Sequence, residues 1–287
     1  MRQQDKISKR RTIRRPLDLL PGSVPVYRMA EQEFCELKVD IELHHPEIEQ
    51  QARQLPELVG TMEALDRGKE FHDAASAEAA PIPRSEVTRL IRSGQPITLV
   101  ESSLRGHYGR LPLIGRPDAI HFDGKGTAWV AEYKRRERPY VTPSDDVQLR
   151  LYAYLLLQEQ MFDVEEVMLV GLLVSPTAAE RIEAFDGDRK ARLIRSACRK
   201  PPELFPSRRR HWSKLAVRGL GAAPVKTVTF LYDANKIRQE LRFLSGYWLG
   251  RRTPRATTKA TKCVVCRVNA LGLCPRALAP YGASLRA

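Results

Sequence analysis

Two apolar segments separated by a short turn constrain the fold of this 287-residue chain more than any other feature. Residues 111–122 and 127–134 are rich in strand-forming side chains, and the sequence Asp-Gly-Lys-Gly at 123–126 is typical of a tight turn. Apolar strands joined by so short a connection pair in antiparallel fashion. The sequence therefore predicts a β-hairpin over residues 111–134.

A helix and a further strand follow the hairpin. Residues 146–160 are rich in Leu, Tyr and Ala, and Ser144 or Asp145 before them can cap a helix. Residues 167–174 are almost continuously apolar, as expected for a strand covered on both faces. Strand, helix and strand in alternation predict an α/β fold with a central mixed sheet flanked by helices.

Shorter segments extend this pattern towards both ends of the chain. Residues 47–80, 190–198 and 234–249 have the composition of helices, and residues 97–101 and 228–232 that of strands. No stretch approaches the roughly 18 apolar residues of a transmembrane helix, and the N-terminal residues lack the apolar core of a secretory signal. We therefore expect a cytoplasmic protein, or a mitochondrial or nuclear one in a eukaryote.

The formal net charge of +14 is concentrated in three segments. Residues 1–15, 207–218 and 251–262 are rich in Arg and Lys, and the remainder of the chain is close to neutral. Basic segments of this kind are solvated tails or surfaces that contact phosphates. The charge therefore favours a polyanionic partner, either nucleic acid or a membrane surface.

Charged residues interrupt the apolar pattern of the hairpin. Glu132 and Lys134 are two positions apart, so they share one strand face with Val130. The turn brings Asp118, in the Gly-Arg-Pro-Asp sequence at 115–118, back towards Glu132. Two carboxylates beside one lysine can hold a divalent cation that binds a phosphate. A surface hairpin with an ordinary Glu–Lys pair is the alternative.

These residues resemble the motif of the PD-(D/E)xK nuclease superfamily, in which an Asp after a Pro precedes a Glu-x-Lys or Asp-x-Lys sequence on the next strand. Two further pieces are similar to the RecB-like branch of that superfamily. A Gln-x-x-x-Tyr sequence lies on the following helix, and a His lies on an upstream helix. The matching residues are Pro117, Asp118, Glu132, Lys134, Gln148, Tyr152 and His72.

The resemblance implies a restriction-endonuclease-like core and a DNA nuclease that depends on Mg²⁺ or Mn²⁺. Lys134 would assist the attacking water, and Gln148 and Tyr152 would position the substrate or the lysine. His107 and His121 lie nearer the hairpin than the matching His, but the family pattern does not favour them. The metal ligands that the resemblance implies are His72, Asp118, Glu132 and the peptide carbonyl of Tyr133.

Five cysteines without a secretory signal argue against a disulfide framework. Cys263, Cys266 and Cys274 lie close together in the sequence and need a fourth ligand to complete a zinc site or a four-cysteine iron–sulfur cluster. Cys35 is the best candidate for that ligand, whereas Cys198 lies in a Lys/Arg-rich helix and is predicted to be a free thiol. The spacing alone is compatible with zinc and with iron–sulfur.

The position of these cysteines around the nuclease motifs is similar to that in a subset of RecB-like nucleases. Members of the subset have one cysteine before the motifs and three after them, which bind a [4Fe–4S] cluster. The subset includes the CRISPR adaptation nucleases and the exonuclease V family. The resemblance implies such a cluster at Cys35, Cys263, Cys266 and Cys274, joining the N- and C-terminal helical parts, with zinc as the alternative.

These predictions divide the chain into four parts. Residues 1–20 form a basic arm, and residues 21–60 form an N-terminal helical part with the first cluster cysteine. Residues 61–250 form the RecB-like nuclease core, with an insertion over 176–224, and residues 251–287 form a basic linker and Cys-rich tail.

The main functional prediction is an exonuclease-type deoxyribonuclease acting on single-stranded DNA or DNA ends, in CRISPR adaptation or DNA repair. Its partners would be DNA and the proteins of one of these pathways. Arg208, Arg209 and Arg210 would contact phosphates, and Trp212 would either stack on a base or be partly buried. Two alternatives stay open: a structure- or duplex-specific endonuclease of the same superfamily, and a catalytically idle, zinc-stabilised nucleic-acid-binding protein.

Overall fold

The computed structural model describes residues 15–63, 66, 83–135, 140–159, 162, 164–175, 178, 182, 187–198, 211–215 and 225–284, and of residues 187, 188, 190, 191 and 211–215 the backbone alone. The helices, in chain order, are α1 (Val26–His44), α2 (Ile48–Arg53), α3 (Arg84–Arg92), α4 (Pro143–Gln158), α5 (Gly187–Ala197), α6 (Ala234–Trp248), α7 (Ala260–Cys263) and α8 (Arg267–Ala270). The strands are β1 (Val24–Pro25), β2 (Ile97–Val100), β3 (Leu104–Tyr108), β4 (Leu111–Gly115), β5 (Ala119–Phe122), β6 (Thr127–Arg135), β7 (Glu166–Val174), β8 (His211–Leu215) and β9 (Val225–Leu231).

Six strands form a mixed sheet in the order β2-β5-β6-β7-β9-β8. Strands β6 and β7 are parallel, with α4 as the connection between them, and the other neighbouring strands are antiparallel. Strand β7 is buried over almost its whole length, as its continuous apolar sequence predicts. The predicted α/β fold with a central mixed sheet flanked by helices is confirmed.

The predicted strand over 111–122 is wrong in one respect, because it consists of two strands in different sheets. Strand β4 pairs with β1 and β3 in a separate three-stranded sheet, whereas β5 joins the central sheet. The chain leaves one sheet and enters the other between Gly115 and Ala119. The segment that contains Asp118 is therefore a crossing point between two sheets.

Helix α4 begins earlier than its sequence predicts. Thr142, rather than Ser144 or Asp145, is the N-cap: its side-chain oxygen accepts a hydrogen bond from the Asp145 N–H (3.2 Å). The Asp145 carboxylate accepts one in return from the Thr142 N–H (2.8 Å), and Pro143 occupies the first helical position. The helix predicted over 47–80 is also interrupted, since a short 3₁₀ turn at Pro56–Leu58 follows α2.

The apolar core lies on both faces of the central sheet. On one face, Val130 and Leu169 pack with residues of α1, α4 and α6, including the fully buried Trp248. On the other face, Trp129 and Met168 belong to a second cluster that α5 covers. Cys198 is buried in this second cluster, and burial raises the pKa of its thiol, as expected for a structural cysteine.

The C-terminal tail packs against α1. Cys35 has extended backbone angles (φ −167°, ψ 115°) that interrupt the helix, and the N–H of Leu37 donates a hydrogen bond to the Arg255 carbonyl (3.0 Å) instead of to its own helix. The Glu36 carboxylate forms a bidentate ion pair with the Arg252 guanidinium. It also accepts a hydrogen bond from the backbone N–H of Arg255 (2.9 Å). The tail is thus attached to the core by contacts of its own.

Of the helices within the described residues, none combines the length and apolar character that a bilayer-spanning segment needs.

Candidate active site

Two buried carboxylates face each other across the β5–β6 hairpin. Ala119 pairs with Ala131, and continuing this antiparallel register by one position places Asp118 opposite Glu132. The exposed fractions of these two residues are 7% and 4%. Because isolated buried carboxylates are costly, their proximity requires cations or hydrogen-bond donors around them.

The backbone of β6 orients the first of these carboxylates. The peptide N–H of Tyr133 donates a 2.5 Å hydrogen bond to Oδ2 of Asp118. The Tyr133 ring lies on the opposite sheet face, in the cluster that α5 covers, and burial raises the pKa of its hydroxyl well above its ordinary value. The tyrosine side chain therefore anchors β6, while its peptide group faces the site.

Lys134 and Gln148 form a network around Glu132. The Lys134 ammonium donates to Oε1 of Glu132 (2.9 Å) and to Oε1 of Gln148 (3.1 Å). The Gln148 amide donates to Oε1 of Glu132 (2.8 Å) and to the hydroxyl of Tyr152 (2.8 Å). Residues 148 and 152 lie on the same side of α4 because they are one helical turn apart, so the Tyr152 hydroxyl can accept from the Gln148 amide.

The charge of Lys134 is maintained by its surroundings. Burial by itself lowers the pKa of this ammonium, but the neighbouring carboxylates, with Glu132 the strongest, outweigh burial and raise the pKa above its ordinary value. Lys134 is therefore a cation at neutral pH. It is suited to stabilise negative charge rather than to accept a proton.

The oxygen donors of the site are of the kind that Mg²⁺ and Mn²⁺ prefer. Asp118 and Glu132 supply two carboxylates, and His72, the third residue of the implied ligand set, lies outside the described residues. Within the described ranges, no three His, Cys, Asp or Glu side chains are grouped so that they could hold one metal ion. Three of the four implied ligands, the carboxylates of Asp118 and Glu132 and the carbonyl of Tyr133, are thus within the described residues and have the right chemistry.

Neither of the competing histidines is placed as a ligand. His121 is buried, its Nδ1 lies 2.9 Å from Oγ1 of Thr98, and burial lowers its pKa. His107 is an exposed residue of β3. The predicted DNA contacts at 208–210 lie outside the described residues, as does the side chain of Trp212, whose backbone belongs to the edge strand β8.

Sequence reasoning missed Glu101 at this site. Its φ of +46° is the only positive value of a non-glycine residue in the described part of the chain. Its N–H donates to the Asp118 carbonyl (3.1 Å), and its carboxylate forms an ion pair with Arg116. An acidic residue at the end of an apolar strand was the available signal, but the contact depends on a turn that sequence alone does not show.

The four cysteines of the predicted cluster line one pocket between α1 and the tail. Cys35, Cys263 and Cys266 are buried, and Cys274 is partly exposed. The same pocket is lined by three cationic side chains, Lys38, Lys262 and Arg276. Long-range folding therefore brings these four cysteines together and leaves Cys198 in the core.

Gly115 provides the space that Tyr152 occupies. A Cβ at this position would lie 2.8 Å from Cδ1 of Tyr152 and 2.9 Å from Cγ2 of Val26. We expect Gly115→Ala to lower the free energy of unfolding by about 1–3 kcal/mol and to displace Tyr152 from Gln148. Denaturant unfolding tests this, with Gly60→Ala as the control because its Cβ meets nothing within 4 Å. Equal stability of Gly115→Ala and wild type would contradict the packing.

The family model described as "PD-(D/E)XK nuclease superfamily" matches residues 27–271. None of the curated proteins compared matches the chain. One solved structure, "Crystal structure of SSO0001", is similar with a TM-score of 0.44 and 14% identity, covering 92% of this chain and 94% of that chain. Because the family model spans most of the chain, including both carboxylates and the lysine of the site, the chain belongs to the PD-(D/E)XK nuclease superfamily.

Proposed function

We propose that this protein is a metal-dependent deoxyribonuclease of the RecB-like branch, acting on single-stranded DNA or DNA ends. The observation that supports this most is the network in which Lys134 and Gln148 share Oε1 of Glu132, directly across the hairpin from Asp118. A surface Glu–Lys pair would have neither the buried second carboxylate nor the glutamine. Family membership supports the reaction class, hydrolysis of a phosphodiester.

Asp118 and Glu132 would hold Mg²⁺ or Mn²⁺, together with His72 and the carbonyl of Tyr133. When bound, the ion supplies an acidified water and neutralises charge on the phosphate. The Tyr133 N–H keeps the Asp118 carboxylate in one orientation, so this ligand needs little reorganisation.

Lys134 would stabilise the charge that develops on the phosphate, since its raised pKa keeps it protonated. The Gln148 side-chain oxygen accepts a hydrogen bond from the Lys134 ammonium, and the Tyr152 hydroxyl accepts one from the Gln148 amide. The tyrosine hydroxyl is therefore a support for the lysine and not an acid: burial raises its pKa well above the ordinary value.

The basic segments would bind the DNA backbone outside the site. Residues 208–210 are three consecutive arginines that can neutralise successive phosphates. In residues 251–262, Arg252 pairs with Glu36 and Lys262 lines the cysteine pocket, which leaves Arg251, Arg255 and Lys259 for the DNA backbone. Trp212 would offer a ring for base stacking. The order of motifs and cysteines is that of the CRISPR adaptation and exonuclease V nucleases, so we propose a role in CRISPR adaptation or DNA repair.

Cleavage assays test this function. We expect end-labelled single-stranded DNA to be degraded with Mg²⁺ or Mn²⁺ and to stay intact with EDTA. Circular single-stranded DNA would resist an enzyme that needs ends, whereas cleavage of the circle would indicate the endonuclease alternative. A protein that binds these DNAs and cuts none with either metal would be the idle binding protein, and the proposal would be wrong.

We also propose that the cysteine pocket binds a [4Fe–4S] cluster that joins the two ends of the chain. The four cysteines line one pocket between α1 and the tail. Their order around the nuclease motifs is similar to that of the iron–sulfur subset of RecB-like nucleases, and this similarity favours a cluster over one tetrahedral zinc. The cations Lys38, Lys262 and Arg276 around the pocket would offset the negative charge of four thiolates.

Metal analysis of anaerobically purified protein tests the cluster. We expect a brown protein that absorbs at the blue end of the visible spectrum and contains about four irons per chain. Cys266→Ser should lose the colour and most of the iron, and Cys198→Ser should keep both because Cys198 lies in another cluster of the core. A colourless wild type with one zinc per chain would contradict the proposal.

A further inference from the structure

Arg116 lies two residues before Asp118, at the crossing point between the two sheets. Its side chain is 59% exposed, although an ion pair fixes its position. The guanidinium is held at two points by one residue: Nε donates to the backbone carbonyl of Glu101 (3.2 Å), and Nη2 pairs with the Glu101 carboxylate. An exposed arginine is ordinarily mobile, so this one is unusually well oriented.

Glu101 itself is held in an unfavourable conformation. A non-glycine residue with a φ of +46° is uncommon and costs free energy, and such residues cluster at functional sites. Its side chain is only 9% exposed, and its N–H is bound to the Asp118 carbonyl (3.1 Å). One strained residue therefore fixes both the main chain of a metal-binding carboxylate and the head group of Arg116.

The remaining donors of Arg116 define what it can bind. A guanidinium has five N–H donors, and the two contacts to Glu101 leave three of them, both on Nη1 and the second on Nη2, without a partner among the described residues. A fork of donors on a planar cation matches two oxygens of one phosphate. The exposed side of the group can therefore bind a phosphate without breaking the pair with Glu101.

We propose that Arg116 binds the non-bridging oxygens of a DNA backbone phosphate next to the one that is cut, and that Glu101 is the residue that positions it. This inference rests on the proposed function, because the phosphate is a neighbour of the scissile one. It adds a substrate contact at the crossing point between the two sheets, separate from the basic segments. Binding there would set which phosphate reaches Asp118 and Glu132.

Salt-dependent DNA binding tests the contact. Binding of a fluorescent single-stranded oligonucleotide would be measured by anisotropy in EDTA, over a series of KCl concentrations, for wild type, Arg116→Ala and Arg116→Lys. Each phosphate contact contributes about 0.7 to the slope of log K against log salt for single strands. We expect Arg116→Ala to lose about 0.7 of slope and Arg116→Lys to keep it.

Cleavage kinetics test the same contact during the reaction. With Mn²⁺, kcat/KM should fall about 10- to 100-fold in Arg116→Ala, since one charge-assisted contact is lost.

Arg89→Ala is the matched control, because Arg89 is an exposed arginine on α3 paired with Glu86. It should leave both slope and kcat/KM unchanged. Glu101→Gln removes the carboxylate charge that orients Arg116 but leaves Arg116 itself in place. A higher KM for DNA supports the positioning role of Glu101, and an unchanged or lower KM overturns it. If wild type binds and cuts DNA but Arg116→Ala has the wild-type slope, the Arg116 contact is wrong while the proposed function stands. If wild type does not bind DNA, both are wrong.

Discussion

Replacing Lys134 with methionine is expected to slow metal-dependent DNA cleavage by about 10²–10³-fold, the effect of removing one preorganised charge from a transition state. Methionine has a similar length and keeps the apolar contacts of the stem, so the loss reports on the ammonium that now contacts Glu132 and Gln148. Single-turnover cleavage of end-labelled single-stranded DNA measures it, because this rate excludes product release.

Lys236→Met is the matched control for that experiment. Lys236 on α6 also pairs with a buried carboxylate, that of Asp146 (2.8 Å), but lies outside the site. Its loss should leave cleavage within a few-fold of wild type. Equal rates for Lys134→Met and wild type would show that the ammonium has no part in the reaction.

The second large effect is expected at Glu42, which attaches the C-terminal tail to α1. Its carboxylate is buried and accepts contacts from Arg28 (2.8 Å), Lys38 (3.2 Å) and Arg267 (2.7 Å). Glu42→Gln leaves three cations around a neutral amide, so we expect the free energy of unfolding to fall by about 3–5 kcal/mol. Chemical denaturation measures this, and Glu31→Gln is the control, since that partly exposed carboxylate contacts two of the same cations and should cost less than about 1 kcal/mol.

The Glu42 contribution has a defined pH dependence. Burial by itself raises the pKa of this carboxyl, but the cations, with Lys38 the strongest, outweigh burial and hold the pKa below its ordinary value of 4.5. A lowered folded-state pKa means that the stabilisation is complete above pH 4.5 and is lost as the pH falls through the lowered value. The difference between wild type and Glu42→Gln should therefore be constant near neutrality and shrink in acid. A difference that is independent of pH would contradict the ion pairs.

Local sequence patterns were sufficient for the β5–β6 hairpin, which carries Glu132, and for β7. The turn at 123–126 and the apolar segments on either side of it predict the hairpin, and the continuous apolar run predicts β7, because these signals depend only on neighbouring residues. The break of 111–122 into β4 and β5 was not predictable, since it depends on pairing with Val24 and Pro25, nearly ninety positions away. The cap of α4 was missed because the helix already begins at Pro143, which makes Thr142 the N-cap.

Some features of the site also follow from neighbouring residues in the sequence, whereas others depend on contacts between distant segments. Gln148 was expected near Lys134 from the motif, but its donation to both Glu132 and Tyr152 follows from the packing of α4 against β6. The role of Glu101 follows from its positive φ and from the hydrogen bond of its N–H to the Asp118 carbonyl, and neither feature has a sequence signature. The order of the four cysteines along the chain was enough to predict that they share one site. The sequence had no corresponding signal for Glu36 and Glu42, the carboxylates that attach the tail.

The most direct measurement is the Mn²⁺ dependence of single-stranded DNA cleavage by wild type and Glu132→Gln, a substitution that keeps the size of the side chain and removes its charge. If Asp118 and Glu132 hold the catalytic metal, wild-type cleavage rises to a plateau with Mn²⁺, and the variant does not cut at any concentration in the series. Cleavage by Glu132→Gln with the wild-type rate and the wild-type Mn²⁺ midpoint would show that the metal site lies elsewhere.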